Sequence, residues 1–164
     1  MAIAPMMPEH LDLTALKVLV VDDSPNMGKL IAEVLRCLGV NKVFKAESAA
    51  AGRMVLEACE IDLVFADIEM AGETGLEFVR KIRASPNPRI ADVVIVMVSA
   101  HATEGRVIEA GAVGANSFLV KPFSVSALAR RLAEGFANRK VMVKAAQRRA
   151  PAHWSAAAAK AVEV

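Results

Sequence analysis

The sequence predicts a doubly wound parallel α/β sheet built from five βα units. Short β-branched runs alternate with helical stretches five times between Lys17 and Ala137. The central runs, VLVV and VVIVMV, are apolar without alternation, as befits strands covered on both faces. The third observation is positional: charged and hydroxyl residues fall just after the runs, where a parallel sheet gathers its strand ends.

The runs, in order, are Val18–Val21, Val43–Ala46, Leu63–Ala66, Val93–Val98 and Ser117–Val120. Val43–Ala46 and Ser117–Val120 are mixed in polarity and read as edge strands. After the first run, Met27, Leu30, Ile31, Val34, Leu35 and Leu38 recur every three or four residues, which makes one apolar helical stripe. Ser24-Pro25 supplies an N-cap and a proline for the first turn, and Gly39 sits where that helix should stop. Ser48 and Ser124 are suited to cap the second and fifth helices. Leu76, Val79 and Ile82 mark the third helix, which ends before a Pro86-Asn87-Pro88 loop. Thr103–Ala112, with Gly105 near its start, carries the weakest helical pattern. Alternating strands and helices imply right-handed crossovers, and five units in about 120 residues fit the flavodoxin-like strand order 2-1-3-4-5.

With 164 residues, 55% of them apolar, the chain can bury a core in one domain. Cys37 and Cys59 belong to no CxxC pair or Cys/His cluster, so buried, reduced thiols are expected. No apolar run approaches the roughly 18 residues of a membrane span. The first sixteen residues lack the basic start of a signal peptide, so a cytoplasmic protein is expected. There is no P-loop, GxGxxG motif or internal repeat. Residues 1–137 carry 14 Lys/Arg against 17 Asp/Glu, whereas residues 138–164 carry six against one. The expected organisation is therefore an N-terminal extension (1–15), a main domain (16–137) and a basic, Ala-rich tail (138–164). The tail reads as a solvated, partly helical extension or, if it has a use, as a segment that folds onto the acidic body or onto a partner in a salt-sensitive way.

Asp22 and Asp23 close the first strand, Asp67 the third, Ser99 the fourth and Lys121 the fifth. Singly, such residues are ordinary turn and cap residues. Five of them on one sheet edge is a different matter, because with this strand order the ligand crevice opens between strands one and three. Three carboxylates within a few ångströms repel one another, which raises their pKa values or recruits a cation. An all-oxygen donor set without His or Cys suits Mg²⁺. Lys121 adds a compact positive charge and Ser99 a hydroxyl donor. Nucleophilic oxygen, divalent cation and donors for equatorial oxygens are what a phosphoryl group meeting a carboxylate requires. Phosphoryl transfer onto an aspartate is the reaction class these residues point to.

The motifs VLVVDDSPNM (18–27), FADIEMAGETG (65–75), VMVSAHA (96–102) and FLVKPFS (118–124) resemble those of response-regulator receiver domains of two-component signalling, including the stand-alone chemotaxis-type regulators. The resemblance covers roughly Leu16 to Ala137. It implies that Asp67 is the phosphoacceptor and that Asp22 and Asp23 hold Mg²⁺, with Asp67 and the Glu69 backbone carbonyl as further ligands. It implies that Lys121 pairs with the acceptor and then with the phosphoryl group. Ser99 would move toward the phosphoryl oxygens, and Phe118 would be the aromatic switch whose rotamer follows. Ala71 departs from the proline that often follows Met70, and Ser99 and Phe118 stand where Thr and Tyr are frequent. Glu69 and His101 occupy positions that tune phosphoryl lifetime in the family. The implied partners are a histidine kinase or histidine phosphotransfer protein upstream and a protein target downstream. No DNA-binding domain is expected, and homodimerisation stays open.

Two other classes compete with this reading. A phosphatase of the haloacid-dehalogenase type also uses an aspartyl phosphate and Mg²⁺, but needs a DxD pattern after its first strand, where this chain reads Asp22-Asp23-Ser24. A pseudo-receiver would lack acceptor, metal or lysine residues, and all of these positions are filled. The protein's own chemistry is thus expected to be limited to self-phosphorylation from a phosphodonor and slow hydrolysis, not conventional enzyme turnover.

Overall fold

A computed structural model describes residues 11–145, so expectations for residues 1–10 and 146–164 lie outside the described residues. Five strands, β1 (Lys17–Val21), β2 (Lys42–Ala46), β3 (Leu63–Asp67), β4 (Val94–Ser99) and β5 (Ser117–Val120), alternate with helices. The helices are α1 (Pro25–Cys37), α2 (Ala49–Ala58), α3 (Gly75–Arg83), α4 (Pro88–Ala91), α5 (Glu104–Val113) and α6 (Val125–Ala145). All strand pairs are parallel, in the order β2-β1-β3-β4-β5. The flavodoxin-like order is thus observed, with the two mixed runs on the edges.

Burial follows the sequence pattern. Every residue of β3 and β4 is buried, while β2 alone is largely accessible. Two apolar clusters sandwich the sheet. One holds Leu19, Val64, Phe78, Ile95, Met97 and Phe118; the other holds Val20, Leu35, Phe65, Val96, Leu128 and Leu132. Alternate residues of one strand therefore feed opposite clusters, as the pleat requires.

The local signals act as expected at the helix ends. The Ser24 Oγ accepts from Met27 N–H, Ser48 Oγ from Ala51 N–H, and Ser124 Oγ from Ala127 N–H. Gly39 takes a left-handed φ of 103°, which turns the chain out of α1 and toward β2. The helix with the weakest pattern forms as α5, started by the Thr103 hydroxyl on Arg106 N–H. The Pro86-Asn87-Pro88 segment is more ordered than a plain loop. Asn87 caps a single turn, α4, and Pro88 starts it.

Three further observations concern the edges of the domain and the thiols. Leu11 and Leu13 pack against the second cluster, so chain before residue 16 contributes to the core. Helix α6 runs through position 138 to Ala145, and the Asn138 side chain donates to the Asn116 carbonyl at 3.1 Å. The expectation of buried thiols fails for Cys37, which is exposed, while Cys59 is half-buried. Cys37 lies two residues beyond the buried Leu35, and a step of two turns a helical side chain away from the core stripe.

Candidate functional site

The strand order brings the C-terminal ends of β1 and β3 side by side, and β4 and β5 follow. In register, Val21 faces Ala66, Asp67 faces Val98, and Ser99 faces Val120. Asp22, Asp67, Ser99 and Lys121 therefore emerge along one edge because each ends, or directly follows, a strand. The Ile68 N–H bonded to the Val98 carbonyl, and Lys121 N–H bonded to the Ser99 carbonyl, carry the ladder one step into the loops.

Lys121 lies between two carboxylates. Its Nζ is 3.2 Å from Asp22 Oδ2 and 3.3 Å from Asp67 Oδ2. Asp22 Oδ1 accepts Ser24 N–H at 2.8 Å, and Asp67 Oδ1 accepts Glu69 N–H at 3.1 Å. Asp23 is exposed, and its Oδ2 accepts the Ala71 N–H across the crevice at 3.0 Å. Each of the three aspartates offers one carboxylate oxygen to a group that lies within 4.8 Å of one another. This is a small, all-oxygen donor set on a partly open edge, which fits a hard divalent cation that keeps several waters.

The electrostatics show why such an edge wants a cation. Burial, with the Asp22 charge adding to it, pushes the Asp67 carboxyl up to about 6 despite Lys121 beside it. Burial disfavours the Lys121 ammonium, but Asp67 and Asp22 outweigh it and hold its pKa above the ordinary lysine value. One lysine is thus shared between two buried acids, and Asp67 is left under-compensated.

Glycine makes the geometry possible at the start of α3. Its N–H donates to the Ile68 carbonyl at 2.9 Å, and a Cβ on Gly75 would run into the Asp67 backbone carbonyl. Only a residue without a side chain lets α3 begin this close to the end of β3. Farther along the loop, Glu73 takes ion pairs from Arg53 on α2 and Lys81 on α3 at 2.5 and 3.2 Å. Burial works against that carboxylate, but the hydrogen bonds from Arg53 and Lys81 hold it below its usual range.

A receiver-domain family model, described as the response regulator receiver domain, matches residues 18–133. The chain belongs to this family. The chemotaxis protein CheY of Pseudomonas aeruginosa is 31% identical over 121 residues, covering 74% of this chain and 96% of that protein. A protein-glutamate methylesterase/protein-glutamine glutaminase of Burkholderia thailandensis is 38% identical over 128 residues, but the match spans 34% of its length. Among solved structures, chemotaxis response regulator CheY4 of Vibrio cholerae superposes with a TM-score of 0.67 at 28% identity, covering 73% of this chain and 98% of that one. CheY-type receivers are phosphorylation-switched signalling proteins and not conventional enzymes. Receiver domains bind Mg²⁺ at an acidic pocket, and the aspartate cluster here has that character. Among the described residues, no helix is long and apolar enough to cross a membrane.

Within this receiver fold, Ser99 and Phe118 lie on the same face of the sheet. Ser99 pairs with Val120, two residues beyond Phe118, and both Phe118 and Val120 pack in the first apolar cluster. Phe118 is buried. The Ser99 hydroxyl is also buried, and it donates to Glu69 Oε1 at 2.8 Å while accepting the His101 N–H at 3.0 Å. Sequence reasoning brought in Glu69 for its backbone carbonyl and as a position that tunes phosphoryl lifetime, but did not anticipate that its side chain holds the Ser99 hydroxyl. It missed Arg106 altogether, whose Nη1 lies 3.1 Å from the same Glu69 oxygen. A basic residue in the first turn of α5, facing an acid two positions beyond Asp67, is the signal that could have found it.

Proposed function

We propose that this chain accepts a phosphoryl group on Asp67, with Mg²⁺ held by Asp22, Asp23, Asp67 and the Glu69 backbone carbonyl, and that the modified receiver signals by contact with another protein. The observation that carries this reading is the sharing of Lys121 Nζ by two buried aspartates at the end of β1 and β3. The phosphodonor is a histidine kinase or a histidine phosphotransfer protein.

When bound, Mg²⁺ supplies positive charge for the phosphoryl oxygens and lowers the repulsion among the three carboxylates. The remaining roles belong to side chains. Ionised Asp67 attacks phosphorus, and one carboxylate oxygen bonds to it as the bond from phosphorus to the donor atom breaks. The donor departs with that electron pair. Lys121 Nζ follows the charge from the carboxylate to the transferred group, and the Ser99 hydroxyl moves to donate to one of its oxygens. Movement of Ser99 opens space on the face where Phe118 lies, so the aromatic ring reports the chemistry to the β5 surface. Hydrolysis reverses the state: water attacks phosphorus, inorganic phosphate leaves, and Asp67 is regenerated.

Intact-mass measurement after incubation with Mg²⁺ and acetyl phosphate tests the reading. The wild type gains one phosphoryl group and Asp67→Asn gains none. Equal labelling of that variant would remove Asp67 from its role.

A further inference from the structure

The Ser99 hydroxyl has one proton to donate, and Glu69 Oε1 is the nearer of its two acceptors, the His101 carbonyl lying at 3.4 Å. The distance to Glu69 Oε1 is 2.8 Å, with the His101 N–H bonded to the same hydroxyl oxygen from the other side. Ser99 is fully buried, so water does not compete for it. Glu69 Oε1 in turn accepts Arg106 Nη1 at 3.1 Å, and the Glu69 N–H is bonded to Asp67 Oδ1. A carboxylate oxygen that takes a donor from β4 and a donor from α5 resembles an anion seated in front of Ser99. Arg106 belongs to the first turn of α5, fixed there by the Thr103 cap. The β3–α3 loop, the end of β4 and the start of α5 therefore meet at a single oxygen atom.

We propose that Glu69 and Arg106 form a latch over Ser99: Glu69 occupies the hydroxyl in the unphosphorylated receiver, and Arg106 is the positioning residue that holds Glu69 there. Ser99 has to exchange Glu69 for a phosphoryl oxygen before the switch is complete. That exchange removes one of the two donors on Glu69 Oε1, so phosphorylation loosens the tie between the β3–α3 loop and α5. The inference deepens the reading of Asp67 as acceptor and rests on it for its purpose, though the latch itself exists without a phosphoryl group. The pairing is partly solvent-accessible, with side chains 34% and 38% exposed, which suits a contact that must open rather than one that anchors the fold.

Two measurements on the full chain decide it. The first is the affinity for beryllofluoride with Mg²⁺, a phosphoryl mimic, in wild type, Glu69→Ala, Ser99→Ala and the double variant. Releasing the hydroxyl by Glu69→Ala tightens binding about 3- to 10-fold, the range of one net hydrogen bond. In the Ser99→Ala background most of that gain disappears. A gain of equal size in both backgrounds means that Glu69 acts through charge alone and overturns the latch. The second is amide NMR of the metal-free, unphosphorylated protein. Arg106→Ala shifts the Ser99 and His101 resonances toward their Glu69→Ala positions, and does nothing to them when Glu69 is already alanine. Unmoved resonances in Arg106→Ala, or equal shifts without Glu69, remove Arg106 from the device. If the mimic fails to bind the wild type, the acceptor reading falls, and the metal-free spectra still settle the latch.

Discussion

The Nζ of Lys121 stands 3.3 Å from Oδ2 of Asp67, yet the Asp67 carboxyl titrates at about 6 instead of below 4. Burial and the neighbouring Asp22 win over the lysine because Lys121 is divided between two acids. The protein thus keeps a buried carboxylate that is poorly compensated in the absence of a cation. Site and stability are set against one another at this residue.

That opposition has a sign and a pH window. The folded state binds the Asp67 proton more tightly than the unfolded chain does, so ionisation destabilises the fold. Below about pH 4 both states hold the proton and nothing is lost; stability falls as pH rises from about 4 to about 6 and stays lowered above. At neutral pH the cost is about 3 kcal/mol, taking about 1.4 kcal/mol per unit. Asp67→Asn in chelator-treated buffer should therefore be more stable than wild type by about 1–3 kcal/mol at pH 7, and by almost nothing at pH 4. Urea titrations at both pH values measure this, and an advantage that does not shrink in acid contradicts the account.

Magnesium should act at the same atoms. Mg²⁺ should raise the unfolding temperature of the wild type by binding the folded state alone. Asp22→Ala and Asp23→Ala should each weaken Mg²⁺ affinity by about tenfold or more, since each removes a charged oxygen from a site with few protein ligands. Affinity in the wild type should also fall below about pH 6, where Asp67 takes up a proton. Calorimetric titration across that range is the check, and Mg²⁺ affinity unchanged in both variants would mean that the ion sits elsewhere.

Gly75→Ala probes how α3 is seated on the site. The added carbon meets the Asp67 carbonyl and comes within 2.8 Å of Ile68 Cα, both backbone atoms that cannot rotate aside. The variant should lose about 2–4 kcal/mol of stability, the scale of an overpacked core. It should also take up a phosphoryl group from acetyl phosphate more slowly, because relief of the clash moves Asp67. Wild-type stability together with wild-type labelling would show that the loop absorbs the carbon freely.

Much of this was legible in the sequence, for a reason that Asp22, Asp67, Ser99 and Lys121 make plain. Each follows a recognisable apolar run, and a parallel sheet collects the ends of such runs on one edge. Side-chain pairings between loops and helices carry no comparable pattern. Glu69 and Arg106 are 37 positions apart and meet only because β4 lies between their elements. Ala71 is similar: the sequence shows that proline is absent, but not that the N–H so gained donates to Asp23. The α4 turn was hidden in a Pro-Asn-Pro segment whose composition reads equally well as a loop. Cys37 misleads for a related reason, since residue type alone does not say which side of α1 it occupies.

Arg83 was the least legible residue of all, and it supports a prediction that separates scaffold from site. It ends α3, and burial lowers its pKa to about 10, an effect partly offset by Asp92. Among the described residues it has no carboxylate in ion-pair range; its donors go to carbonyls instead. Its Nε and Nη2 donate to Gly114 O at 3.0 and 2.8 Å, and its Nη1 donates to Ala91 O and Val93 O at 2.7 Å each. A further bond from Nη2 reaches Asn116 Oδ1, which also accepts the Ile95 N–H. One guanidinium thus ties α3 to the α4 turn, the start of β4 and the loop that leads into β5. Arg83→Ala removes all of these bonds at once and leaves carbonyls that include that of the buried Val93 without the guanidinium, so it should cost about 2–4 kcal/mol. Arg83→Lys should recover only a minor part, because an ammonium cannot span the forked set of oxygens. The carbonyls lie at the end of the sheet opposite Asp67, so Mg²⁺ affinity in the folded fraction should match wild type. Denaturant unfolding with an unchanged m-value, read beside a Mg²⁺ titration, tests both halves. A stability loss below about 1 kcal/mol for Arg83→Ala would show that water replaces the guanidinium, and the hub would carry no weight in the fold.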